Sequence, residues 1–181
     1  MLFRRMAPVF GMRPDAAIAY LPPLRKAFGI EMADAGTASI ATAALMSNSV
    51  ANCVGFVKAL RALEYCPCDE GRGSEAFAGA NALQALEFIF RRDPHETLKD
   101  RAEFVILTNP TEAELRIGTG DVQGIAARFV SPVERPSRSS LRGAKILKAS
   151  GLASIVLALR DLDQTGNALD NTFGFEGQVL Q

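Results

Sequence analysis

Apolar residues recur at helical spacing through most of the chain. Leu24, Ala27, Phe28, Ala35, Ala38, Ala41 and Leu45 predict one or two helices between Leu24 and Ser47, weakened locally by Gly29 and Gly36. From Val50 to Tyr65 the residues Val50, Val54, Val57, Leu60 and Leu63 fall on one side, with Lys58 and Arg61 on the other, so a further helix is expected. Glu75 to Arg92 reads as an Ala/Leu/Phe helix, and Asp93-Pro94 ends it and opens the next, with Glu96 in its first turn. Leu141 to Leu162 has the strongest pattern, with Arg142, Lys145, Lys148 and Arg160 along its edges and Gly166-Asn167 to end it. Shorter helices are expected over Leu2–Phe10, Ala16–Tyr20 behind Pro14 and Asp15, and Val122–Val130. Asp69–Ser74, Asn109–Gly120 and Ser131–Ser140 read as connectors. Phe104-Val-Ile-Leu-Thr-Asn-Pro is the one candidate strand, and no second segment presents itself to pair with it. The pattern as a whole predicts an all-α domain over residues 1–181.

Composition agrees with one neutral, folded domain. The 181 residues carry 20 basic and 20 acidic side chains, 48% are hydrophobic, and there is no Trp. Zero net charge argues against a general nucleic-acid binder or a binder of anionic membranes, both of which need a cationic surplus. Ala35–Val57 is free of charge, yet Thr37, Ser39, Thr42, Ser47, Asn48, Ser49 and Asn52 dilute it, so it reads as a buried helix and not a membrane span. The first seven residues contain Arg4 and Arg5 without the apolar run of a secretory signal, and are compatible with a short organellar presequence.

Candidate chemistry is sparse. His95 is the sole histidine, which excludes a multi-histidine metal site within the chain, and its place after Pro94 predicts a solvent-facing first-turn residue. Cys53, Cys66 and Cys68 are too few for a secreted disulfide framework, and Cys66-Pro-Cys68 has one residue fewer between its thiols than a redox or zinc pair. Gly71-Arg-Gly73 and Gly118-Thr-Gly120 lack the Lys-Ser/Thr of a phosphate loop. Glu112 and Glu114, and likewise Asp161 and Asp163, are two apart; on a helix they would not share a face, so they read as solvated charge. These residues do not suggest an enzyme.

Several segments resemble the phycobiliproteins, a β subunit of the phycoerythrin or phycocyanin kind in particular. Ser139–Ile155 resembles the family's penultimate long helix, Asp15–Tyr20 its N-terminal helical hairpin, Leu45-Met-Ser-Asn-Ser the end of the first globin-type helix, and Thr97–Arg101 the turn after the chromophore helix. The resemblance implies an all-α, globin-like body with an N-terminal helical extension over residues 1–22, and an insertion over 104–130. It also implies that Asp15 and Tyr20 meet an Arg of an α-type subunit, where a charge-assisted contact would fix register. The helix Glu75–Gln84 lacks the Cys and following Arg-Asp that hold the family's main bilin, so no standard linkage is expected. Cys53 and Cys66 lie near the positions where some β subunits hold a doubly linked linear tetrapyrrole.

The function so implied is that of a structural or assembly subunit of a phycobilisome-type antenna, hetero-oligomeric with an α-type subunit or linker proteins. It would sit peripherally on the stromal or cytoplasmic side of the thylakoid membrane. The alternatives are a stand-alone globin-like sensor or interaction domain and, from the neutral Ala-rich composition, a helical virion or filament subunit.

Overall fold

The structure is a computed structural model that describes residues 1–67, 75–107, 109–119, 122–133 and 144–172. It is mixed α/β, and the all-α, globin-like expectation is overturned by a five-stranded antiparallel sheet. The strands are β1 (Glu64–Cys66), β2 (Glu103–Ile106), β3 (Glu112–Thr119), β4 (Val122–Val130) and β5 (Lys145–Leu147), in the order β1-β4-β3-β2-β5. The segment expected as an insertion, 104–130, forms the centre of this sheet.

The residues explain why. Glu112-Ala-Glu-Leu-Arg-Ile117 alternates charged and apolar side chains with a period of two, the signature of a strand and not of a loop. Paired register puts Phe104 and Ile106 of β2 beside Leu115 and Ala113 of β3, which in turn face Ala127 and Phe129 of β4. That inner face is fully buried, and Phe129 packs edge-on against Tyr65 of β1 and Phe77. Val122–Val130, expected as a helix, is therefore a strand because Ala127 and Phe129 fill one face while Arg128 projects from the other. A bulge between Leu115 and Arg116 shifts the β3–β4 register.

The helices are α1 (Leu2–Met6), α2 (Pro14–Ile18), α3 (Leu21–Phe28), α4 (Ala35–Met46), α5 (Cys53–Arg61), α6 (Ala82–Phe90), α7 (Pro94–Lys99) and α8 (Ala149–Thr172). Gly29, at φ 63°, closes α3 in the left-handed region, so the expected Leu24–Ser47 helix is two. Asp34 caps α4 through the Thr37 N–H, and α4 is buried on all sides from Ala38 to Met46, as its uncharged sequence predicts. Among the described residues no helix is long and apolar enough to cross a membrane.

The expected helix over Glu75–Arg92 begins instead with a short 3-10 turn, Glu75–Phe77. It restarts at Asn81, whose side chain and that of Gln84 form a reciprocal capping box for α6. Residues 1–22, expected as an N-terminal helical extension, hold short helices, and their Leu2, Phe3 and Met6 enter the core. Leu152, Ile155, Val156 and Leu159 of α8 complete the core, and α8 continues past Gly166 and Asn167 to Thr172. The expected Leu141–Leu162 helix thus starts only at Ala149, with its first residues drawn into β5 beside β2. The expected loop 69–74, Cys68, Gly120 and most of the connector 131–140 lie outside the described residues.

Candidate functional site

The residues singled out by the resemblance do not form one site. Asp15 is almost fully exposed in the first turn of α2, 3.8 Å from Arg4. Tyr20 is buried at 4% exposure; burial, and then the neighbouring Cys53, push its phenol pKa up. The two residues thus differ in exposure, Asp15 open to solvent and Tyr20 buried. Cys53 is fully buried at the start of α5, and burial pushes its thiol pKa up, against the backbone N–H of Val54. Cys66 lies on β1 opposite Arg128 of β4, half-buried, and its thiol donates to the Pro67 carbonyl. Joining a tetrapyrrole to Cys53 would require opening the core around it. His95 is exposed in the first turn of α7, where its backbone N–H donates to Asp93. That bond, then Arg160, holds the Asp93 carboxyl below its ordinary pKa.

Glu112 and Glu114 overturn the reading of solvated charge. On a strand, residues two apart share a face, and both carboxylates lie on the outer side of β3 at 6% and 5% exposure. Glu112 accepts from Arg128 across the β3–β4 ladder at 2.6 Å, and Glu114 from Arg116 at 2.7 Å. These are structural ion pairs, each buried carboxylate neutralised by a half-buried guanidinium. Asp161, by contrast, is an exposed residue, 2.9 Å from Arg5.

Two clefts of similar size differ in how their cations are held. One, about 270 Å³, lies between the α4 N-terminus, the end of α6 and α8 and contains Arg91, Arg92 and Arg160. Each of these has a carboxylate partner: Glu87 for Arg91, Asp100 and Glu96 for Arg92, Asp93 for Arg160. The other cleft, also about 270 Å³, opens where the N-terminal segment, the end of α4 and the edge strand β5 meet. Val9, Phe10, Met12, Leu45, Met46, Ile146 and Leu147 form its walls, and Asn48 and Lys145 are its polar groups.

Lys145 reaches this cleft because β5 pairs antiparallel with β2. Ile106 lies opposite Lys145, and Phe104 opposite Leu147, which turns Lys145 and Leu147 to the inner, helix-facing side. Its Nζ donates to the Met46 carbonyl at the C-terminal end of α4 and sits 5.6 Å from the centre of the Phe56 ring. Among the described residues no carboxylate pairs with it. Burial lowers its pKa below the ordinary lysine value. Asn48 stands at the end of α4 with φ 55°, and Gly151 at the start of α8 backs the wall: a Cβ there would meet Leu147 at 2.8 Å and Val9 at 3.0 Å.

Sequence reasoning places Lys145 on a helix edge and so misses it. The available signal is its spacing of two from Leu147, which on a strand puts the amine on the apolar side. Among the described residues no group of His, Cys, Asp and Glu is arranged to hold a metal ion.

Compared with known proteins, the chain matches no family model, no curated protein and no solved structure. The phycobiliprotein resemblance therefore rests on its short segments alone, and the globin-like body that it implied is replaced by the antiparallel sheet.

Proposed function

We propose that the protein is a binding domain for a small aliphatic molecule with an anionic end, held in the cleft between the N-terminal segment, α4 and β5. One observation carries the reading: the cleft is walled by aliphatic, thioether and aromatic side chains, and Lys145, the one cation among the described residues that line it, has no carboxylate partner among them. A mostly apolar pocket with few convergent polar groups is the usual form of a small-ligand site, and a volume of about 270 Å³ suits a small occupant. A part-buried ammonium that meets one carbonyl and one ring has a favourable electrostatic interaction left to make with an anion brought to it. The Asn48 amide, at the rim, offers a second donor to a carboxylate.

Titration calorimetry with decanoate, decanol and decylamine tests the reading. Decanoate should bind the wild-type chain at least tenfold more tightly than decanol, and Lys145→Met should remove that preference while retaining the fold. Equal binding of decylamine, or decanoate binding unaffected in Lys145→Met, would overturn it.

A further inference from the structure

We infer that Gly151 is a positioning residue that sets how long an alkyl chain the cleft admits, by letting Val9 and Leu147 lean back against α8; the inference rests on the binding reading above and narrows its ligand class to chains below one cut-off length. Gly151 is the third residue of α8 and has ordinary helical backbone, so no left-handed turn calls for a glycine there. Alanine would favour the helix more. What the missing side chain supplies is space.

A Cβ at Gly151 would meet Leu147 Cδ1 at 2.8 Å and Val9 Cγ1 at 3.0 Å, well inside the separation of about 3.5–4.0 Å at which carbon atoms rest. Both side chains line the cleft and Gly151 does not, so they stand between α8 and the space for a ligand. An added methyl forces one or both of them to move. Leu147 is buried in the core, with Phe104 opposite it in the β2–β5 ladder. Close packing leaves little room on those sides, and the cleft is the open volume beside it. Val9 is β-branched and stiff at χ1, so its methyls cannot turn aside independently. The two walls would therefore advance into the cleft. Lys145 lies two residues back along β5 and keeps its bond to the Met46 carbonyl, so the change falls on the alkyl chain and not on the anionic end.

The experiment is titration calorimetry of the full chain with the even-numbered acids from hexanoate to tetradecanoate, with circular dichroism to show the fold intact. Each methylene buried is worth about fourfold in affinity, so affinity should climb with length in the wild-type chain and stop at a cut-off. In Gly151→Ala the climb should stop at least two carbons earlier, while acids shorter than the new cut-off bind within about twofold of wild type. Val9→Ala/Gly151→Ala should move the cut-off back towards the wild-type length. The same cut-off in wild type and Gly151→Ala, equal weakening at every length, or a wild-type climb that never stops would overturn the inference and leave the binding reading standing. Failure of the wild-type chain to bind any acid of the series would overturn both. If Gly151→Ala does not fold, Val9→Ala alone decides: a longer cut-off than wild type supports the inference, and an unmoved one contradicts it.

Discussion

Glu112, which is buried, and Lys145, which is part-buried, are charged side chains on opposite faces of one sheet, and the chain treats them differently. On the outer face Glu112 and Glu114 each meet a guanidinium at hydrogen-bond distance, so their charge is answered within the fold. At the seam between the edge strand and the helices, Lys145 meets one carbonyl and one ring. Helical cores show the extreme case in Thr42 of α4, whose hydroxyl is fully buried without a hydrogen-bond partner. A buried charge with its partner belongs to the structure. One left without a counter-charge beside an apolar cleft is open to a partner from solution.

Breaking the fold behind the outer pairs gives the largest effect. Phe129 lies next to Arg128 on β4 but faces inward, against Tyr65 and Phe77. Phe129→Ala should cost about 3–5 kcal/mol, read from urea unfolding. Removing its outward-facing neighbour should cost less. Arg128→Ala strands the Glu112 carboxylate, and because the guanidinium is 36% exposed the expected loss is about 1–3 kcal/mol. Removing Glu112 as well should recover part of that loss, so the Glu112→Ala/Arg128→Ala double-mutant cycle should show positive coupling. Additive losses would mean that the pair is not a unit.

The same contrast predicts a gain at Thr42. Replacing a buried, unpartnered hydroxyl by a methyl of similar shape removes a desolvation cost without opening a cavity. Thr42→Val should therefore stabilise the chain by about 1 kcal/mol, again by urea unfolding. A loss of stability would show that the hydroxyl is satisfied after all.

Lys145 should leave the smallest trace, in the pH dependence of stability. Its folded-state pKa is lowered, so between that value and the ordinary lysine value the unfolded chain binds more protons than the folded one. Its contribution is unfavourable below the folded pKa and is relieved as pH rises through this alkaline window. Tyr20 and Cys53 work the other way, since their folded pKa values are raised and the unfolded chain ionises first. The difference between wild type and Lys145→Met isolates the lysine: the variant's advantage should shrink as pH rises.

Much of the helical half was legible in the sequence. The uncharged run into Met46, Asp93-Pro94 before α7, and the Leu152–Leu159 stripe each carry a local signal that packing reinforced. The sheet was harder to read because its edge strands are three residues long and lie inside stretches with helical spacing, Glu64–Cys66 and Lys145–Leu147. Its central strands were legible in principle. Glu112–Ile117 alternates cleanly, but charged residues that suggest a solvated loop are ion-paired across the ladder, and that pairing is visible only once β3 and β4 lie side by side. Lys145 was hidden for a related reason, since its site depends on where a short edge strand sits against the end of α4.

The five methionines allow the binding site to be located in one measurement. Met12 and Met46 line the cleft, whereas Met6 is buried in the core and Met1 and Met32 are exposed elsewhere. In a chain carrying ¹³C-methyl methionine, decanoate should shift the Met12 and Met46 resonances saturably, leave the other three in place, and lose this effect in Lys145→Met. Unmoved Met12 and Met46 methyls, or shifts confined to Met1 and Met32, would contradict a carboxylate site beside Lys145.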